Sequence, residues 1–261
     1  MRRFFGAAFG FFISIAAMAQ GDSTRTTINS TGAGNVPPAT TTTPKRKTLN
    51  TTSLPRSNDH LMLQLGYTGW SGAPDSINTG GIPRSFNAYF MFDYPFKTNP
   101  HWSVGIGLGI ATDNVFFSKS DIAIAGTTTN LQFRNLADTN HFKKYKLATA
   151  YAEVPLELRF ASNPSDNSHS FKVALGVKVG TLLNAHTKGR ILENKSGATV
   201  NDYKEKLFEK RYFNKQRISG MVRVGYGHFS LFGSYQLTPL FKEGVAPAIR
   251  PYTVGLTLSG L

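Results

Sequence analysis

A chain of 261 residues without a single cysteine excludes a disulfide framework, a thiolate metal site, a cysteine nucleophile and a lipid-modified cysteine. Its formal charge of +14 is dispersed over Arg2 and Arg3, over Arg25, Lys45, Arg46, Lys47 and Arg56, and over residues 143–223, where bases are mixed with acids. That scatter argues against nucleic acid as a partner and toward anionic lipid head groups.

The chain opens MRRFFGAAFGFFISIAAMAQ: two arginines, an apolar run from Phe4 to Ala17, and the small-residue pattern Ala17-Met18-Ala19. This reads as a signal peptide over residues 1–19, cleaved before Gln20, because the run is shorter than the roughly 20 apolar residues that span a bilayer. Residues 20–59 are rich in Thr, Ser, Asn, Gly and Pro with almost no large apolar side chain. They are expected to form a disordered periplasmic tail, since they cannot bury enough surface to offset the entropy of ordering.

From His60 the hydrophobic period changes to two, the signature of strands. HLMLQLGYTGW (60–70) puts Leu61, Leu63, Leu65 and Tyr67 on one face, and SFNAYFMFDYPF (85–96) does the same for Phe86, Ala88, Phe90, Phe92 and Tyr94. WSVGIGLGIA (102–111) sets Trp102, Val104, Ile106, Leu108 and Ile110 against Ser103, Gly105, Gly107 and Gly109. The fourth strand, from about Lys146 through YAEVPLELRF (151–160), opposes Val154, Leu156, Leu158 and Phe160 to Glu153, Glu157 and Arg159. FKVALGVKVGTLLNA (171–185), QRISGMVRVGY (216–226), FSLFGSYQL (229–237) and YTVGLTLSGL (252–261) complete eight, an even number that can close on itself.

Long connections alternate with short turns at 97–100, 162–168 and 227–228, the asymmetry of an outer-membrane barrel with its long loops outside. The fold class expected is therefore all-β, an eight-stranded antiparallel up-and-down transmembrane β-barrel over residues 60–261. No later segment has the run of about 18 apolar residues a spanning helix needs, so a membrane fate requires such a closed barrel.

The polar face collects Asp93, Glu153, Glu157, Arg159, Lys172, Lys178, Arg217 and Arg223, interspersed with Gly105, Gly107, Gly109, Gly176, Gly180, Gly225 and Gly255. Glycines on a water-exposed face weaken strands without filling space, whereas inside a narrow barrel they make room for long charged side chains. The charged face is accordingly assigned to the lumen, as an ion-pair network, and the apolar face to lipid. Phe90, Phe92, Tyr94, Phe96, Trp102, Tyr226 and Phe229 lie near the short turns, where an interfacial girdle belongs.

His60, His101, His169 and His228 each begin an odd-numbered strand and read as interfacial residues, because a rim does not converge them on a metal. His141 and His186, with Asp113, Asp121 and Asp138, are the acid and histidine candidates of the long connections, but their spacing ties no two together. There is no phosphate loop, nucleophile elbow or metal-ligand spacing, and no cofactor is expected. The long connection 186–216, with its basic, aromatic stretch YKEKLFEKRYF (203–213), is expected either to pack on lipid A or a partner or to form a solvated loop or short helix.

YAEVPLELRF, the Gly-rich strand that follows it, and QLTPLF (236–241) before YTVGLTLSGL resemble the outer-membrane β-barrel domain family that includes PorT-like proteins. The resemblance spans residues 60–261 and implies residence in the cell outer membrane, among lipid and lipopolysaccharide, with envelope or secretion-system proteins as partners. It also implies that Pro155, which deletes a ladder donor, is accommodated at a bulge. The function expected is structural, adaptor-like or secretion-associated rather than enzymatic. A barrel enzyme acting on lipids or peptides, or a soluble lipocalin-like ligand-binding barrel, is the alternative.

Overall fold

The computed structural model describes residues 60–75, 77–166 and 168–260; the expected signal peptide and tail lie outside them. The strands are β1 (Leu61–Ser71), β2 (Arg84–Pro95), β3 (Trp102–Phe117), β4 (Ser120–Ile122), β5 (Phe133–Asn135), β6 (His141–Ala161), β7 (Phe171–Glu193), β8 (Thr199–Phe208), β9 (Gln216–Tyr226), β10 (Phe229–Gln236) and β11 (Arg250–Ser259). Eight of them follow one another in the order β6-β3-β2-β1-β11-β10-β9-β7, and a β6–β7 pairing closes the ring. Every pairing is antiparallel. Closure gives each of the eight ring strands a neighbour on both sides, the condition for a sheet to cross lipid.

The period of two becomes an outside and an inside. Leu108 and Leu175 are 64% and 65% exposed, while Glu153 and Lys178, on the opposite face of the same wall, are 1% exposed. In water, such a belt of Leu, Ile, Val and Phe around the whole circumference would exceed any apolar patch a soluble monomer carries. It is the surface of a protein whose solvent is hydrocarbon, so the soluble ligand-binding alternative falls.

Two strands run well beyond the lipid belt. β6 and β7 pair along their whole lengths, from Ala161–Lys172 at the short-turn end to His141–Glu193 at the other. The outer part of β7 then pairs with β8 instead of β9. The segment after His186, expected to be a loop or short helix, is therefore an extension of the wall: Lys204 and Lys206 alternate with Glu205 and Leu207 in β8. Likewise His141 and His186 are strand residues, and Asp113 belongs to β3.

One bulge separates the membrane part of β7 from its extension. Ala150 pairs with Asn184 but Tyr151 with Leu182, which leaves Leu183 without a partner across the pair. An extra residue reverses the inside–outside alternation of everything after it. Pro155, expected at a bulge, is not at one. The β3–β6 register is the same on both sides of it, Ile106–Leu156 and Gly109–Glu153, and the ladder simply lapses between them, where the missing N–H has no partner to disappoint.

Candidate functional site: the lumen network and the external cap

β2, β3, β6, β7 and β9 each turn charged side chains into the lumen, and these assemble in two layers. In the layer nearer the short turns, Glu157 Oε2 accepts from Arg159 Nε at 2.7 Å and from Arg223 Nη2 at 2.8 Å. Arg159 Nη1 also lies 3.6 Å from Asp93 Oδ1. In the layer above, the Tyr89 hydroxyl donates to Glu153 Oε2 at 2.6 Å, Lys178 Nζ stands 3.9 Å from the same oxygen, and Arg217 Nε is 3.3 Å from Oε1. Arg217 Nη1 donates to Asp113 Oδ2 at 2.7 Å and its guanidinium lies 4.8 Å from the centre of the Tyr151 ring. Burial of so many charges is tolerable only because each faces an opposite charge at short range.

The glycines of the polar face are where those side chains run. A Cβ on Gly105 would stand 2.6 Å from Arg159 Nε, and one on Gly180 would stand 2.7 Å from Glu153 Cγ. Beside the charges, a neutral relay crosses β2, β1 and β11: Asn87 Nδ2 donates to Gln64 Oε1 and Gln64 Nε2 to Thr257 Oγ1, both at 3.2 Å.

Of the eight residues assigned to the lumen, the structure brings Asp93, Glu157, Arg159 and Arg223 into one cluster and Glu153, Lys178 and Arg217 into the other. Lys172 lies half-buried at the short-turn end of the same face. Asp113 belongs to the second cluster although the sequence reading placed it in a connection. Carrying the alternation of β3 two residues past Ala111 would have found it.

Above the charged layers the lumen becomes apolar. The long connections fold inward and supply Ile77, Ile124, Leu131, Phe213, Leu240, Phe241 and Ile249 to a core completed by the strand residues Val115, Phe117, Tyr145, Leu147 and Tyr151. Asn214 Nδ2 donates to the carbonyls of Pro239 at 2.7 Å and Phe241 at 2.9 Å, tying two connections together. This cap is irregular packing rather than strand, so no period announced it.

Of the acid and histidine candidates, Asp121 and His141 line one external cavity of about 580 Å³ beside the cap, together with Arg134, Tyr145 and Glu205. Asp121 is ion-paired with Arg134, and His141 Nδ1 donates to the Thr139 carbonyl at 3.0 Å. Burial, reinforced by Asp121, pushes the Tyr145 hydroxyl well above the ordinary phenol range. His186 is elsewhere, on the outer face of the wall against Phe208, and Asp138 is exposed on a connection.

At the opposite rim, three of the four strand-opening histidines perform one job. His60 Nδ1 donates to the Met91 carbonyl at 3.2 Å, His101 Nδ1 to Ala161 at 2.8 Å and His228 Nδ1 to Ser259 at 3.0 Å. In each case the histidine carbonyl also accepts from the backbone N–H of that same residue. Each clasp fastens the start of one strand to the end of its neighbour. His169 instead meets Asp166 at 2.8 Å within its turn, and that contact holds the exposed Asp166 carboxyl below its usual range.

A closed antiparallel wall with an apolar exterior and a charged interior defines a transmembrane β-barrel. Residues 56–243 match the outer membrane protein beta-barrel domain, and the chain belongs to that family. It is accordingly a protein of the outer membrane. Among solved structures it is similar to Ail, the attachment invasion locus protein of Yersinia pestis, with 16% identity over 77% of this chain and 97% of that one and a TM-score of 0.33. A second structure of Ail, in complex with the heparin analogue sucrose octasulfate, shows 13% identity over 76% of this chain and 94% of that one, with a TM-score of 0.31. No curated protein matches the chain.

Proposed function

We propose that this barrel is a non-enzymatic structural or adaptor protein, set in lipid and lipopolysaccharide, whose external face engages envelope or secretion-system proteins. The observation that carries this reading is the filled lumen. Asp93, Asp113, Glu153 and Glu157 are matched with Arg159, Lys178, Arg217 and Arg223, and an apolar cap lies over them. Such an interior serves as a stabilising strut, since groups held in mutual ion pairs neither bind a solute nor wait for a substrate. What is left to act is the external surface. The resemblance of YAEVPLELRF and QLTPLF to PorT-like barrels favours a secretion-associated partner.

The test is photo-crosslinking in living cells from exposed connection residues, Lys195 and Gly244, compared with Lys97 on the short-turn side. A reproducible envelope-protein adduct from the external positions alone is the expected result. Absence of any adduct at all positions would count against an adaptor role.

A second reading rests on the cavity shared by Asp121 and His141. An enzyme built there would hydrolyse lipids or peptides, and H141A and D121N would abolish turnover by the purified barrel. The expected outcome is that wild type and both variants are equally inactive.

A further inference from the structure

The bulge at Leu183 has a chemical consequence on the outer face of the wall. Before it, the even-numbered residues of β7, Lys178 among them, face the lumen; after it, the even-numbered residues His186, Lys188 and Arg190 face outward. There they meet the outward residues of β6 and β8. Lys146, Lys188 and Lys206 are direct cross-strand partners in one row, and Lys144, Arg190 and Lys204 in the next. Six cations thus form a grid of two rows on three adjacent strands. Like charges directly opposite one another destabilise a sheet, and among the described residues no carboxylate forms an ion pair with any of the six.

Three further observations bear on what the grid is for. Phe116, the β3 partner of Lys146, floors a cleft of about 210 Å³ walled by Lys144, Lys146, Lys188 and Arg190, with Arg84 lying over the same ring at 5.7 Å. Lys146 Nζ donates to the neutral Asn114 Oδ1 at 2.6 Å, and burial, followed by the charges of Lys188, Lys206 and Arg84, lowers its pKa. The grid also continues the lipid-facing surface upward. From Leu183 to Lys188 the strand climbs about 12 Å along the membrane normal, at 3.3 Å per residue and a tilt of about 40°. Flexible lysine side chains at that height reach the head-group layer above the apolar belt.

We infer that Lys144, Lys146, Lys188, Arg190, Lys204 and Lys206 form a phosphate-binding site for the outer-leaflet glycolipid of the protein's own membrane, whose acyl chains lie against Leu183 and Val179 below. The occupant is a lipid rather than a soluble polyanion because the cationic face and the acyl-contacting face are one continuous surface of the same strands. This inference rests on the proposed setting in lipid and lipopolysaccharide, and not on the envelope or secretion-system partner proposed above.

The full-length barrel would be reconstituted into vesicles of phosphatidylethanolamine containing either phosphorylated lipid A or the same lipid with its phosphates removed. Retained glycolipid would be counted by native mass spectrometry, with folding checked by heat-modifiable gel mobility. Wild type should retain phosphorylated lipid A, K146Q/K188Q/K206Q should bind it on the order of 100-fold more weakly, and K146R/K188R/K206R should retain it. A K97Q/K242Q control, which removes the same kind of charge elsewhere, should behave as wild type. Equal retention by the glutamine variant, or equal retention of dephosphorylated lipid A, would overturn the inference. So would binding of inorganic pyrophosphate without any preference for the phosphorylated glycolipid, which would make the grid a site for free anions.

Discussion

Glu157 sits between two guanidiniums with almost no access to water, and its removal would take away the carboxylate that Arg223 and Arg159 share, leaving Asp93, 3.6 Å from Arg159, to balance both. E157A should therefore destabilise the barrel by about 3–5 kcal/mol, read from the urea midpoint of the heat-modifiable band, and E157Q, which keeps the acceptor oxygen, should lose less. G105V pushes two methyl groups into the path of the Arg159 side chain and should cost about 1–3 kcal/mol through overpacking. His186 provides the pH test. Burial, followed by the charges of Lys206, Lys146 and Lys188, lowers its pKa below the usual 6.5. The unfolded chain then takes up a proton that the folded one refuses, so stability falls as pH drops through 6.5 and the loss levels off below the folded pKa. Ring chemical shifts followed across pH 4–8 should show a midpoint below 6.5.

At the scale of the element, a strand of this barrel is defined by which face meets which solvent. Leu156 is an outward residue near the middle of the lipid-facing part of β6, and L156R should cost about 2–4 kcal/mol of folding free energy in bilayers. The same substitution at Leu207, on the projecting extension of the wall, should cost far less because water reaches that strand. β8 pairs only with β7, so its formation is separable from closure of the ring. E205P, at a residue paired with Gly189 in the β7–β8 ladder, should abolish hydrogen-exchange protection in β8 and leave the heat shift of the barrel unchanged. His60, His101 and His228 act at the same scale: each secures a strand start to its neighbour's end by one side-chain and one backbone hydrogen bond, worth about 1 kcal/mol apiece.

For the whole molecule, the combination of ion-paired lumen and apolar cap means that the barrel has a skin of lipid-facing side chains and two dissimilar fillings. Tyr89, Tyr151, Met62 and Met91 are buried alongside the charges, and eight strands leave little width beyond what such side chains occupy. Planar-bilayer recordings should accordingly show no steady conductance. F241A would open a cavity in the cap at a local cost of about 3–5 kcal/mol. It should expose the external connections to protease while the wall keeps its heat shift, because closure of the ring does not depend on the cap.

Much of this was legible in the chain itself, for a physical reason. Side chains of a strand alternate by covalent geometry, so the period of two in residues 60–260 already separated the oily face from the charged one, and the glycines that share the charged face with Glu153, Glu157 and Arg159 already told which face was crowded. Family membership and the eight-stranded ring agree with that reading. What alternation does not contain is register between strands, and with it which distant charges meet: the Asp113–Arg217 contact links residues far apart in sequence, and nothing local pairs them. Nor does it contain the bulge at Leu183, which turns Lys188 and Arg190 from lumen to exterior, or the cap, whose Ile124, Phe213 and Phe241 pack without any period. Local chemistry determined the two faces of the wall; only the closed tertiary structure decided which residues meet across the lumen, how far the wall continues outward and where its cations point.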